Sequence, residues 1–252
     1  MSDIKLFHGD CFTLLDQIPD ESIDLIITDI PYVISIKENH IFGMKDRTGR
    51  HGLDFGEWDS KFDVSTLNVF QSKIKPNGSL VIFHSFEQYH QLKQTFNDME
   101  LKDFLIWEKT NPMPRNRERR YICNIESFSW YVKANADWTF NRINEPYDAC
   151  VHRYPSESGG GFERYHPCQK PQDLLVELIK RHSNIGDTVF DPFMGSGSVG
   201  LACLNTDRDF IGMELDDNYF HIAEERIKQA QINPEVPYRK PGNDGVKHKR
   251  LF

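Results

Sequence analysis

The chain has 252 residues, 38% hydrophobic and 12% aromatic, which is enough to bury one sizeable domain core with an insertion and argues against disorder. Five cysteines (Cys11, Cys123, Cys150, Cys168, Cys203) are odd in number and spread out, with no C-x-x-C pair, so neither a disulfide framework nor a zinc site is expected and a reducing cytoplasm fits. No leader-like apolar run opens the chain and no window reaches the ~20 apolar residues of a membrane span, while a net charge of −8 argues superficially against nucleic acid.

Strand and helix patterns alternate from the first residues, the signature of an α/β fold. Residues 4–8 read as a strand, 10–17 as a short helix and 24–28 as a strand with Leu25-Ile26-Ile27 at its buried centre. A polar stretch rich in Gly, His and Lys follows Tyr32 and runs to Trp58. Residues 63–75 then read as a helix, Pro76-Asn77-Gly78 as a turn, 80–84 as a strand, 86–98 as a helix, and 104–107 and 128–132 as strands. Residues 134–165 lose periodicity and carry Pro146, Pro155 and Gly159-Gly160-Gly161, which reads as a small irregular insertion between a first half, 1–133, and a second, 166–232. The pattern resumes at Pro171, a favourable first helical residue, with Leu174, Leu175, Leu178 and Ile179 on one face. A strand to Phe190, a glycine loop, a helix to about residue 205, a strand at 210–214 and a helix at 217–230 complete it, before a polar tail over 233–252. The expectation is a mostly parallel seven-stranded sheet with helices on both faces.

Charge distribution matters more than the total. Lys109, Arg115, Arg117, Arg119 and Arg120 stand against the single Glu118, and the tail carries Arg239, Lys240, Lys247, Lys249 and Arg250 against Asp244. Such a run is ordinarily a solvated face. Asn111, Pro112 and Pro114 make residues 115–120 a loop beside the expected ligand crevice, so these four arginines are candidate phosphate contacts.

Two acids mark that crevice. Thr28-Asp29-Ile30-Pro31-Tyr32 ends one apolar strand and Asp191-Pro192-Phe193-Met194-Gly195-Ser196-Gly197 ends another, at the carboxyl ends where open parallel sheets bind ligands. Gly195-Ser196-Gly197-Ser198-Val199-Gly200 also satisfies G-x-G-x-x-G, with Glu214 ending the next strand, which on spacing alone is a dinucleotide fingerprint. Charge separates the ligands: Asp191 would repel a pyrophosphate at the helix amino terminus, but it suits S-adenosylmethionine, which carries an ammonium and a sulfonium and no phosphate. No Lys follows the glycines, so a nucleotide-triphosphate loop fails. Asp29-Ile30-Pro31-Tyr32 alone could be a strand-end turn with a buried tyrosine.

Together the two motifs resemble those of the exocyclic-amino DNA methyltransferases, with the catalytic motif Asp-Pro-Pro-Tyr and its variants and the cofactor motif Asp-Pro-Phe-x-Gly-Ser-Gly. The resemblance extends over nearly the whole chain. It includes His8-Gly9-Asp10-Cys11, Trp107-Glu108-Lys109-Thr110-Asn111-Pro112, Phe128-Ser129-Trp130-Tyr131-Val132-Lys133 and His166-Pro167-Cys168-Gln169-Lys170-Pro171. With the catalytic motif first, the order looks like the permuted beta group. The resemblance implies that Asp29 and the Ile30 carbonyl accept the two amino hydrogens of a flipped base, with Pro31 shaping the turn and Tyr32 stacking on the ring. It implies that Asp191, Phe193, Gly195, Ser196, Gly197 and Glu214 line the S-adenosylmethionine site with Asp10 and Cys11, and that Lys170 approaches the cofactor's carboxylate. Ile30 departs from the usual proline, which keeps the carbonyl and lowers the turn's rigidity.

Duplex DNA is then the implied partner, met by the four arginines and by residues 134–165 as a target-recognition insertion. A homodimer and a cognate restriction endonuclease are further partners the family admits. Asp at position 29 resembles the adenine-specific members more than the N4-cytosine ones, which often carry Ser. Rival readings are an N4-cytosine enzyme, a catalytically idle DNA-binding module and a dinucleotide oxidoreductase. Pro167-Cys168-Gln169 spells the nucleophile motif of cytosine-C5 enzymes, but it follows no strand and opens a helix, so Cys168 is not read as a nucleophile. His40 and His51 lack neighbours at metal spacing, and no metal is expected.

Overall fold

The computed structural model describes residues 2–32, 62–112, 121–157 and 169–233. Its strands are β1 (Ile4–His8), β2 (Ile23–Asp29), β3 (Ile74–His84), β4 (Met99–Lys109), β5 (Ile125–Lys133), β6 (Val151–Tyr154), β7 (Thr188–Asp191) and β8 (Asp209–Glu214). They form one eight-stranded sheet in the order β1-β8-β7-β2-β3-β5-β4-β6, in which β5 alone runs against the others.

Period-two alternation sends successive residues of β2 to opposite faces, and both faces are covered. Leu25 and Ile27 face Leu174, Leu175 and Leu178 of α3 (Gln172–His182), Val199 and Ala202 of α4 (Ser198–Leu204), and Ile227 of α5 (Asp217–Ile232). Ile26 joins the other layer with Cys11 of α1 (Cys11–Leu14), Leu67 and Phe70 of the 3-10 helix Val64–Lys73, and Leu92 of α2 (Tyr89–Thr95). From β2 the chain continues to β3 on one side, while from β7 it continues to β8 on the other. That reversal opens a crevice at the carboxyl ends of β2 and β7.

Three features differ from the sequence expectation. The sheet has eight strands, the extra one being β6, from within the segment read as irregular. Its four residues carry no apolar run; pairing to β4 makes them a strand, with the Tyr154 carbonyl also accepting from Trp107 Nε1 at 2.9 Å. The segment is tied further into the domain by Trp138 and Phe140 against Trp130, and by Asp148 paired with Arg181 of α3. Residues 64–73 are a 3-10 helix rather than an α-helix: Val64, Leu67, Phe70 and Lys73 are its buried positions, spaced at three residues per turn. Pro76-Asn77-Gly78 is a bulge inside β3, where pairing with β2 jumps from Ile23↔Ile74 to Leu25↔Ser79. No helix among the described residues is long and apolar enough to cross a membrane.

Candidate active site

A pocket of about 620 Å³ lies in this crevice, lined by Asp29, Ile30, Pro31 and Tyr32 after β2, by Asp191 to Ser196 after β7, by Glu214 at the end of β8, and by Asp10, Cys11 and Lys170. Its described lining carries five carboxylates, of Asp10, Asp29, Asp191, Glu214 and Asp216, against the single ammonium of Lys170. Such a wall suits a cationic ligand and opposes a pyrophosphate.

On the β7 side, Asp191 is buried, and its Oδ1 accepts from Thr28 Oγ1 at 2.7 Å and Phe193 N at 3.1 Å. No cation pairs with it among the described residues. Burial pushes its carboxyl up to about 7, against the two hydrogen bonds and with the charges of Asp29 and Glu214 adding to the rise. The glycine loop turns here through Gly195 (φ +52°) and Gly197 (φ +79°), a left-handed region costly to side chains. A Cβ on Gly197 would also stand 3.0 Å from that of Ala223. Glu214 holds the loop from the next strand, its two oxygens accepting from Gly195 N and Asp216 N, each at 2.8 Å. Burial raises its carboxyl too, against those bonds. Arg226 donates to the Ser196 carbonyl and, at 3.0 Å, to its Oγ.

The remaining wall is built locally. Asp10 caps α1 by accepting from Phe12 N at 2.8 Å. Cys11 is buried with its thiol pushed up to about 12, chiefly by burial and further by Asp10, which makes it packing rather than a nucleophile. Phe193 packs edge-on against Phe12, Phe62 and Phe70 at 5.6 to 6.3 Å between ring centres.

The β2 side has its own cation. Lys170 Nζ pairs with Asp29 Oδ2 and, at 3.2 Å, with Glu126 Oε2, and Glu126 Oε1 pairs with Lys109 at 2.6 Å. Tyr32 OH lies 3.5 Å from Glu126 Oε2, and the Lys170 ammonium lies 5.2 Å from the Tyr32 ring centre. Burial raises the Asp29 carboxyl, with Lys170 pulling the other way; burial acts likewise on Glu126, but Lys170 and Lys109 outweigh it and hold that group below its ordinary range. Asp29 Oδ1 is buried with no hydrogen-bond partner among the described residues. Ile30 is buried in the core and donates from its backbone N–H to the Phe83 carbonyl at 3.4 Å.

Thus the two motifs converge on one pocket, and the sequence-expected residues Asp10, Cys11, Asp29, Ile30, Pro31, Tyr32, Lys170, Asp191, Phe193, Gly195, Ser196 and Glu214 all line it, with Gly197 directly behind in the loop. Lys170, expected near a cofactor carboxylate, has its ammonium on Asp29 and Glu126. Arg115, Arg117, Arg119, Arg120, Cys168, His40 and His51 lie outside the described residues. Sequence reasoning missed Glu126, Lys109 and Thr28 as parts of the site. Thr28 adjoins the motif and could have been flagged; Glu126 sits in a strand that pattern reading began two residues later, and nothing local distinguishes it.

Known proteins resemble this chain in sequence and in fold. The DNA methylase family model covering N6 and N4 enzymes matches residues 23–225. The type II methyltransferase M.HinfI of Haemophilus influenzae is 29% identical, over 91% of this chain and 69% of that protein. The crystal structure of the M1.HpyAVI–SAM complex superposes with a TM-score of 0.70 at 34% identity, over 89% of this chain and 98% of the other. The cytosine-N4-specific PvuII DNA methyltransferase shares the fold at 20% identity, with a TM-score of 0.69 over 92% of this chain and 93% of that one.

Proposed function

The chain belongs to the N6/N4 DNA methylase family and is an S-adenosylmethionine-dependent DNA methyltransferase, and we propose that it methylates N6 of adenine at a defined site in duplex DNA. The observation that carries the site assignment is the buried Oδ1 of Asp29, a residue of the pocket lining, which has no hydrogen-bond partner among the described residues while the other oxygen is committed to Lys170. A buried acceptor without a donor is costly in isolation and is satisfied by a ligand N–H.

Asp191, Phe193, Gly195, Gly197 and Glu214, with Asp10, Cys11 and Ser196 on the wall, would hold S-adenosylmethionine, which supplies an electrophilic methyl on its sulfonium. The protein's task is to prepare the nucleophile. An aromatic amine's lone pair is delocalised into the ring, so the nitrogen must pyramidalise before it attacks. Asp29 Oδ1 and the Ile30 carbonyl accept its two hydrogens and favour that geometry, while Tyr32 stacks on the base and fixes the nitrogen in place. Lys170 favours the ionised form of Asp29, an acceptor only, against the burial that raises its carboxyl. The methylated amine is born as an acidic ammonium, and Asp29 is placed to receive its proton.

Because the amine is inaccessible within a duplex, the base is extruded into the pocket. Arg115, Arg117, Arg119 and Arg120 are assigned to the DNA backbone, and residues 134–165 to target recognition. The motif order assigns the chain to the permuted beta group, and the type II relative supports pairing with a restriction endonuclease, with a homodimer as the assembly. Asp29 at the first motif position favours adenine. N4-cytosine is the second reading, favoured by the fold shared with the PvuII enzyme and by the identical geometry of the two amines. Nucleoside mass spectrometry of DNA methylated by the protein is expected to find N6-methyladenine. Predominant N4-methylcytosine would overturn the base alone, whereas 5-methylcytosine would overturn the mechanism.

A further inference from the structure

Gln88 belongs to none of the motifs, yet it is buried, 5% exposed, at the end of the 3-10 turn Phe86–Gln88 that follows β3. Its Oε1 accepts from Ser85 N at 3.0 Å and Ser85 Oγ at 3.2 Å, and its Nε2 donates to the Pro31 carbonyl at 2.7 Å. The amide fits one way round: reversed, it would set donor against donor at Ser85 N and acceptor against acceptor at Pro31. The Pro31 carbonyl belongs to the peptide that leads into Tyr32, one step beyond the Ile30 carbonyl. Isoleucine leaves the backbone at residue 30 free where a proline ring would fix φ near about −65°. A second backbone tether, from Ile30 N–H to the Phe83 carbonyl, is long at 3.4 Å.

We propose that Gln88 is a positioning residue for methyl transfer: its amide holds the Pro31–Tyr32 peptide so that the Ile30 carbonyl and the Tyr32 ring meet the base together. The inference rests on the reading of Asp29 to Tyr32 as the catalytic turn. Gln88 is not among the residues that line the pocket, so its loss lowers the rate through geometry, where a displacement of about 1 Å costs up to ~10²-fold.

The test measures turnover with radiolabelled S-adenosylmethionine and unmethylated duplex DNA, beside cofactor affinity by calorimetry. Gln88→Met removes the hydrogen bonds at nearly constant volume and is expected to lower kcat about tenfold or more, with cofactor Kd within about twofold. Gln88→Glu keeps the Ser85 acceptor and makes the contact with Pro31 depend on protonation. A neutral acid can donate to that carbonyl, whereas a carboxylate repels it. The ratio of Gln88→Glu to wild-type turnover is therefore expected to fall as pH rises from about 6 to about 9, the range in which a buried Glu titrates.

Wild-type kcat in both variants throughout that range overturns the proposal. So does loss of cofactor binding in step with kcat, which would make Gln88 a residue of the fold alone. If Gln88→Met does not fold, the pH-dependent ratio of Gln88→Glu decides. Asp29→Ala separates the two levels: wild-type turnover there sinks the catalytic turn itself, and an inactive Asp29→Ala beside fully active Gln88 variants sinks only the role of Gln88.

Discussion

The ends of β2 and β7 each present an acid to the same pocket, half-buried at Asp29 and buried at Asp191, and the two are treated oppositely. Asp29 has a cation supplied by the protein, Lys170, itself shared with Glu126. Asp191 has a hydroxyl and a backbone N–H and, among the described residues, no cation. On the proposed assignment the difference follows from what each side would receive. A base would bring a neutral amine, so charge compensation on that side must be built in; S-adenosylmethionine would bring its own positive charge, and a lysine beside Asp191 would compete with it. Burying a carboxylate without a cation beside it is expensive, and the carboxyl of Asp191, pushed up to about 7, reflects that expense.

The comparison breaks most sharply at Asp29. Replacing it with Ala should lower turnover by about 10²–10³-fold or more, the scale on which a preorganised transition-state contact acts, while cofactor affinity stays near wild type. Equilibrium dialysis beside a turnover assay checks this, and near-normal turnover would sink the assignment of the turn.

Lys170→Met should come next, with a loss of up to about 10²-fold near neutral pH and a displaced pH profile. Burial raises the Asp29 carboxyl and Lys170 opposes the rise, so without the ammonium the acid protonates at higher pH. A protonated Asp29 no longer offers two acceptors, and the acid limb of kcat should move to higher pH. Lys170→Arg should move it far less. An unmoved limb in the Met variant would mean that Lys170 does not set the charge of Asp29.

The smallest effect is expected on the other acid. Asp191→Asn should weaken cofactor binding by about 1.5 kcal/mol, roughly tenfold, the low end of the range for hydrogen bonds to charged groups. It should also flatten the pH dependence. With a folded-state carboxyl raised from 3.8 to about 7, wild-type protein must shed a proton to bind a cation below neutral pH, so affinity should climb as pH rises towards about 7 and then level off. The same raised value means that the contribution of Asp191 to the stability of the free protein is present below about pH 4 and lost as pH rises to about 7; Asp191→Asn should remove that slope in thermal melts. Calorimetry of wild type and variant at several pH values reads the binding half directly, and identical slopes would remove Asp191 from the cation site.

Much of this was already written in the chain's local patterns. A short apolar run defines β2, and the acids and glycines at and after the ends of β2 and β7 define the crevice, because buried runs, strand ends and positive φ are properties of a few consecutive residues. The four apolar positions of α3 were legible for the same reason. Tertiary structure decided what no short window carries. β6 is a strand only because β4 lies beside it, since its sequence has no strand signal of its own. Lys170 reaches Asp29 across 141 positions, and Gln88 reaches Pro31 across 57. Which cation meets which acid is fixed by how the sheet stacks its strand ends, and a charge in the sequence has no partner until that packing supplies one.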